Sequence, residues 1–204
     1  MKGTSEPCQG YLKGHILVSI TKTPLIPGNY YHIYNRGINR EHVFFEARNY
    51  PFFLKLMDRF LSDHVDIFAY CLLSNHFHLL VRIMDVEEKS AHLPFSRLFN
   101  SYTQAINRSC HRSGPLFERP FKRKQIINGK YLYQLVCYIH LNPRHHQIGD
   151  YQTYRWSSFQ THLSSAPSKI RRKDVTDWFG SKKSFQKAHE DCLLFNGISD
   201  YIIE

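Results

Sequence analysis

The chain has 204 residues, which suits one domain with a sizeable core and an extension but is short for two full domains. Apolar residues make up 42% of the sequence and aromatic residues 15%, which excludes a chain that stays disordered. The formal net charge of +10 predicts attraction to polyanions, and nucleic acid is the first candidate partner.

Cysteine usage and the N-terminal segment indicate the compartment. The five cysteines are widely spaced and form no CxxC pair, which argues against a disulfide framework or a zinc knuckle. The apolar run at 15–20 is too short for a signal peptide or a membrane span. We therefore expect a cytoplasmic, nucleoid-associated protein with no membrane partner. We divide it into a tail (1–28), a main domain (29–163) and a C-terminal extension (164–204), either a small helical cap or an extra DNA contact.

The first half of the main domain shows strand and helix patterns. Aromatic and β-branched residues predict a strand over Tyr30–Gly37. Apolar spacing predicts an amphipathic helix over Asn49–Leu61. Two further strands, Asp66–Leu73 and His76–Ile83, form a hairpin whose two-residue turn, Ser74–Asn75, uses the tolerance of Asn for positive φ.

The second half predicts helix, strand and helix. Helical spacing begins at Phe95 and stops at Gly114, and a ribbon rich in Lys and Arg then runs to a strand ending at Ile127. A last helix runs from Lys130 to Pro143, where proline ends it. The order strand, helix, strand, strand, helix, strand is the split βαβ pattern of ferredoxin-like α+β folds with an antiparallel sheet.

Two histidines share one face of the hairpin's return strand. Alternate residues of a strand point the same way, so His76 and His78 project together with Cα atoms roughly 6.5–7 Å apart. Phe77 and its alternate neighbours point to the opposite, buried face. Two neutral imidazoles at this spacing can converge on one divalent ion, although a third ligand is then needed. An ordinary polar strand face produces the same pattern.

The last helix offers that ligand. At about 100° per residue, Leu132, Leu135 and Ile139 define its buried stripe, and Tyr138 and Asn142 lie roughly a quarter-turn away as surface neighbours. The Asn carbonyl oxygen suits Mg²⁺ or Mn²⁺. The same sequence pattern would arise if Tyr138 only packed its ring and Asn142 only preceded the end of the helix.

The segments "YHIYNRGINREHVFF", "YCLLSNHFHLLV", "FKRKQI", "YIHLNP" and "YRWSSF" occur in an order that resembles IS200/IS605-type transposases, and most closely the REP-associated tyrosine transposases. The resemblance covers roughly Tyr30 to Leu163. Two departures are Ser74, where such proteins often have Pro, and Arg144-His145-His146, where they have small apolar residues.

This resemblance implies a metal-dependent single-strand DNA endonuclease and strand transferase of the HUH type, in which Phe77 is the large apolar residue U. It implies that His76 and His78 bind Mg²⁺ or Mn²⁺, that Tyr138 is the nucleophile forming a 5′-phosphotyrosine bond, and that Asn142 is the third ligand or a residue that orients the metal. It also implies that the site and the tyrosine helix lie on one sheet face, opposite the other helices. A hydrolytic metal-dependent nuclease and an inactive DNA-binding remnant remain alternatives.

The expected partner is single-stranded or hairpin DNA, bound by a monomer or a homodimer. Four basic residues next to the predicted site would neutralise phosphates: Arg119, Lys122, Arg123 and Lys124. Phe117 and Phe121, interleaved with them, either stack bases or belong to the core. The run Lys169–Lys173 is either a further DNA contact or a soluble linker.

Overall fold

The computed structural model describes residues 23–85 and 90–194, so most of the predicted tail and the last ten residues of the extension lie outside the described residues. The strands are β1 (Tyr30–Arg36), β2 (Val65–Leu72), β3 (His76–Ile83) and β4 (Lys122–Ile126). The helices are α1 (Asn49–Leu61), α2 (Leu93–Ser109), α3 (Lys130–His145), α4 (Phe159–Leu163), α5 (Arg172–Phe179) and α6 (Lys182–Leu194), with one 3-10 turn at Ile38–Arg40.

The four strands form one sheet in the order β2-β3-β1-β4, and every neighbouring pair is antiparallel. This is the expected ferredoxin-like α+β arrangement, because each βαβ unit leaves room for one strand between its own two. Strand β3, which carries the predicted histidine pair, therefore lies inside the sheet, with β1 and β2 as its neighbours.

The sheet separates two hydrophobic clusters. One contains the buried sides of α1 and α2 together with Phe77, Leu79 and Val81 of β3. The other contains Leu80 and buried residues of α3, α5 and α6. The predicted alternation along β3 is confirmed, and so is the expectation that the first two helices and the tyrosine helix cover opposite faces.

The β2–β3 turn has the predicted length but not the predicted conformation. The Leu73 backbone N–H donates to the His76 carbonyl at 2.8 Å, which leaves Ser74 and Asn75 as the two central residues. Neither has positive φ, so that part of the prediction was wrong. The turn is instead held by residues outside the hairpin, since the Ser74 carbonyl accepts hydrogen bonds from the backbone N–H groups of Val43 and Phe44 at 2.8 and 3.0 Å.

Two predicted helix ends were also wrong. The second helix, α2, ends at Ser109 rather than at Gly114. The last helix, α3, continues through Pro143 to His145. Proline has no N–H for the carbonyl four residues earlier, which here belongs to Ile139. The side-chain amide of Asn142 donates to that oxygen at 3.4 Å and to the Tyr138 carbonyl at 2.8 Å, so the helix continues.

The segment after α4 packs on the tyrosine helix. Val175 of α5 and Phe185 of α6 are buried in the same cluster as α3. A buried chain of hydrogen bonds joins His189 of α6 to His140 of α3 at 2.9 Å, and His140 to the Ser158 hydroxyl at 2.8 Å. Helices α5 and α6 therefore pack against α3, and Trp178 of α5 also stacks on Phe68 of β2 with ring centroids 5.0 Å apart. No helix in the described part of the chain is long and apolar enough to cross a membrane.

Candidate active site

The site is built on one row of residues that crosses the sheet. Tyr34 of β1 pairs with His78 on one side and with Lys122 of β4 on the other, and Arg36 pairs with His76. Directly opposed residues of antiparallel strands project to the same face. Aromatic, imidazole and cationic side chains from three strands thus meet on the face that α3 covers.

His76 and His78 lie together as the strand period predicts. Their ring centroids are 5.2 Å apart and the ring planes are nearly perpendicular, at 89°. Both line a cavity of about 200 Å³. The other lining residues are Tyr34, Asn35, Arg36, Arg40, Asn75, Phe77, Lys122 and His146. Three cations, Arg36, Arg40 and Lys122, are among these lining residues, and such groups bind phosphate oxygens through charge-assisted hydrogen bonds.

Burial keeps the imidazoles neutral. It lowers the pKa of His76 to about 3, with smaller contributions from the charges of His146 and Arg36. It also lowers the pKa of His78 well below its usual range, assisted by His32 and His76. A metal ligand must be a neutral imidazole, so this is the protonation state that coordination needs.

Each histidine is held at its Nδ1 atom. Nδ1 of His76 lies 2.6 Å from Oδ1 of Asn75, and Nδ1 of His78 lies 2.9 Å from Nε2 of His32. Sequence reasoning missed His32, although it lies in the predicted first strand. Only the pairing of β1 with β3 brings its ring beside His78, with centroids 5.1 Å apart.

Tyr138 contacts His78 and His32 from the helix side. Its ring meets His78 edge-on at 5.5 Å and His32 at 6.0 Å. The residue is 4% exposed and is not among the described residues that line the cavity. The structure therefore places Tyr138 against His78, immediately beside the cavity.

Asn142 lies one turn after Tyr138 and is fully buried, at 0% exposure. Its amide nitrogen is occupied by the two backbone carbonyls of its own helix, whereas Oδ1 has no hydrogen-bond partner. A buried oxygen without a donor is unfavourable unless a cation or donor meets it. Two neutral histidines and an amide oxygen are, by chemical type, a donor set that suits Mg²⁺ or Mn²⁺, and Asn142, like Tyr138, is not among the described residues that line the cavity. Within residues 23–85 and 90–194, no three His, Cys, Asp or Glu side chains form a metal-binding group, so the set depends on Asn142.

Two of the residues that depart from the resembled pattern, His145 and His146, lie at the site. His146 packs against His76 with ring centroids 4.6 Å apart and lines the cavity, and His145 stacks on Tyr138 at 6.2 Å. The run Arg144-His145-His146 was visible in the sequence as an anomaly. Its contact with His76 depends on α3 continuing past Pro143.

The four predicted DNA-binding cations divide between two faces. Lys122 and Lys124 pair with Tyr34 and His32 and so lie on the histidine face. Arg123 pairs with Ile33 on the opposite face, where it and Arg119 line a second cleft of about 550 Å³ beside α2. Phe117 and Phe121 also line this cleft, but both are buried in the core, as one of the two alternatives stated.

The cations near the cavity are partly neutralised by one carboxylate. Glu118 accepts from Arg36 Nε at 2.5 Å and lies 3.4 Å from the Lys122 ammonium group. Burial raises the pKa of Glu118, but these two cations outweigh burial and the net pKa is lowered. Glu118 is therefore ionised, and it would compete with any phosphate bound in the cavity for both cations.

The run Lys169–Lys173 makes contacts within the protein. Lys169 pairs with Asp58 at 2.5 Å, Arg171 with Asp174 at 3.0 Å, and Lys173 with Asp177 at 2.7 Å. The Arg172 guanidinium donates to three backbone carbonyls between 161 and 166, the shortest bond being 2.6 Å. The Lys169–Asp58 and Arg172–Thr161 contacts connect this segment to the main domain, whereas the Arg171 and Lys173 pairs lie within the α5 segment itself.

Comparison with known proteins supports the fold assignment. A solved structure of a REP-associated tyrosine transposase bound to a REP hairpin superposes with a TM-score of 0.60 at 17% sequence identity. The alignment covers 72% of this chain and 87% of that one. No protein-family model matches the chain, and no curated protein matches it by sequence. The likeness therefore establishes a shared fold.

Proposed function

We propose that this protein is a single-strand DNA endonuclease and strand transferase in which Tyr138 forms a 5′-phosphotyrosine bond with DNA. The contact between the Tyr138 ring and His78, at 5.5 Å, supports this proposal more than any other observation. Both residues belong to one chain, which supports a site assembled within one subunit. The solved transposase with this fold is bound to a DNA hairpin, which supports hairpin-bearing single strands as the substrate.

The chemistry needs a phosphate positioned beside Tyr138. Lys122 and Arg36, which line the cavity, would bind its oxygens. The Tyr138 oxygen then attacks phosphorus in line with the departing 3′-oxygen. The Tyr138 Oη–P bond forms, the P–O3′ bond breaks, the phenolic proton passes to water, and the 3′-oxygen leaves as a hydroxyl after taking a proton. A second 3′-hydroxyl reverses these steps and joins strands without ATP.

A divalent ion would be held by His76, His78 and Asn142, and would withdraw charge from the phosphate and from the attacking phenol. The unpartnered Oδ1 of Asn142 and the neutral histidines are the observations that support this ligand set. An unperturbed tyrosine has a pKa near 10, so such assistance is needed at neutral pH.

A covalent-adduct assay tests the proposal. Single strands carrying hairpins and a fluorophore at the 3′ end are incubated with protein and Mn²⁺, then denatured in detergent and separated by electrophoresis. The label stays with the 5′-phosphate, so the wild type should give a labelled protein band. Tyr138→Phe should abolish the band while keeping the ring packing. Tyr133→Phe removes a hydroxyl from an exposed position of the same helix and should retain the band.

The alternatives predict different results. Full-rate cleavage by Tyr138→Phe without any adduct would favour a hydrolytic nuclease that uses water at the same histidines. If the wild type bound these strands but cleaved none of them with Mg²⁺ or Mn²⁺, an inactive DNA-binding remnant would replace the proposal.

A further inference from the structure

We propose that His32 and Asn75 are positioning residues that hold both histidines of the proposed metal site in the tautomer whose Nε2 lone pair is free. This inference deepens the proposed function, because it concerns the same site. It rests on two hydrogen bonds from different parts of the fold that reach the equivalent atom of each imidazole.

The Asn75 contact defines the tautomer of His76. The Asn75 amide nitrogen donates to the Arg40 carbonyl at 3.2 Å, which turns Oδ1 toward His76. That oxygen can only accept, so the 2.6 Å bond requires a proton on Nδ1 of His76. Nε2 of His76 is then the unprotonated nitrogen. The Asn75 backbone supports this orientation, because its carbonyl accepts from the Gly37 N–H at 2.8 Å.

The His32 contact imposes the same choice on His78. His32 is 4% exposed, and its Nε2 lies 2.9 Å from Nδ1 of His78. A ligating imidazole coordinates through one nitrogen and donates the proton on the other to a nearby acceptor. Nδ1 of His78 is occupied by His32, so Nε2 is the nitrogen left for coordination. His78 therefore donates from Nδ1, and His32 accepts at Nε2 and carries its own proton on Nδ1.

The β1–β3 register makes this arrangement possible. Tyr34 pairs with His78, so His32 lies two residues along β1 on the same sheet face, diagonal to His78. Tyr34 and His32 stack with centroids 4.7 Å apart, which confines the His32 ring. Strand pairing and the stacking contact with Tyr34 therefore hold Nε2 of His32 beside Nδ1 of His78.

Mn²⁺ binding without DNA tests the role of His32. The wild type is compared with His32→Leu, which has no acceptor, and with His32→Gln, whose side-chain carbonyl can accept from His78. Loss of such a partner typically costs about 10–100-fold in metal affinity, so we expect a loss in that range for His32→Leu and partial recovery in His32→Gln. His162→Leu removes a buried histidine of α4 and should bind Mn²⁺ like the wild type. Circular dichroism confirms that each variant is folded.

The tautomers are measured directly by long-range ¹H–¹⁵N correlation spectra of the metal-free wild type. We expect His76 and His78 to carry their protons on Nδ1. A folded His32→Leu variant that binds Mn²⁺ as tightly as the wild type, or a wild-type His78 protonated on Nε2, would overturn the inference. Neither measurement involves DNA or the Tyr138 hydroxyl. A failed adduct assay alongside His32-dependent Mn²⁺ binding would therefore reject the proposed chemistry and keep this inference.

Discussion

The side-chain nitrogen of Asn142 donates a 2.8 Å hydrogen bond to the backbone carbonyl of Tyr138, one helical turn earlier. The same nitrogen donates to the Ile139 carbonyl, for which Pro143 has no N–H, so one side chain supports the helix and also leaves a buried Oδ1 without a hydrogen-bond partner. Its structural and proposed catalytic roles use different atoms, and substitutions can separate them.

For Asn142→Leu, we expect the free energy of unfolding to fall by about 1–3 kcal/mol, because two buried carbonyls lose a donor. Asn142→Asp also loses the donor and buries a carboxylate, so the metal-free protein should be less stable still. A divalent ion would neutralise that carboxylate. MnCl₂ should therefore raise the melting temperature of Asn142→Asp more than that of Asn142→Leu, and equal shifts would contradict a ligand role for this position.

Removing the charge of Glu118 should strengthen DNA binding. In Glu118→Gln, Arg36 and Lys122 lose the carboxylate that neutralises them, and both become available to phosphates. We expect a lower dissociation constant for single-stranded DNA at low salt and a steeper dependence on salt, by up to about two released counterions. Fluorescence anisotropy over a salt series measures both. Glu46→Gln, which removes an exposed carboxylate paired with Arg48, is the control and should change neither.

The cations of the histidine cavity and those of the cleft beside α2 should contribute differently to DNA binding and to the chemical step. Lys122→Gln removes a cation that lines the histidine cavity, so it should weaken DNA binding and also slow adduct formation at saturating DNA. Arg119→Gln removes a cation from the cleft beside α2 and should weaken binding alone. Single-turnover rates at saturating DNA distinguish the two. An equal loss of rate in both variants would show that the cleft also contributes to the chemical step.

The C-terminal helices should be needed for stability. Phe185 of α6 is buried in the cluster that contains α3, so Phe185→Ala should cost about 3–5 kcal/mol in the free energy of unfolding. Phe45→Ala, at a side chain that is 43% exposed, should cost far less. Urea denaturation measures both variants. A small loss for Phe185→Ala would mean that α6 leaves α3 without unfolding the main domain.

Two buried histidines, His162 of α4 and His189 of α6, predict that the stability of the protein falls in acid. Burial lowers the pKa values of His162 and His189 to about 4. An unfolded histidine titrates near pH 6.5, so between these values the unfolded chain binds more protons and stability falls as the pH decreases. Each group contributes up to about 1.4 kcal/mol per pH unit in this window.

Urea unfolding at several pH values from 7 to 4.5 tests this expectation. His162→Phe keeps an aromatic ring in place and should lower the slope of stability against pH by about one proton. The exposed His42→Phe variant, which removes a histidine without touching this cluster, serves as the control. An unchanged slope in His162→Phe would assign the acid sensitivity to other groups.

Local sequence patterns were sufficient to predict an element whose apolar side chains repeat with a regular period. The bounds of α1 and β3 agree with the predicted 49–61 and 76–83, because 3.6-residue and two-residue periods are read from neighbouring side chains alone. Helix ends were less predictable. Pro143 is a valid stop signal by itself, but the preceding Asn142 supplies the missing donor, and that compensation depends on a side-chain conformation inside a packed helix.

The sequence by itself determined that His76 and His78 share a face opposite Phe77, and that Tyr138 and Asn142 are neighbours on one helix, since both relations follow from the geometry of a single element. Only the tertiary structure decided that Tyr138 meets His78, that His32 contacts His78, and that Arg119 and Arg123 line a cleft beside α2. These relations depend on which strands pair and in which register. Strand pairing and register are set by packing between residues that are far apart in the chain, so no local sequence period reveals them.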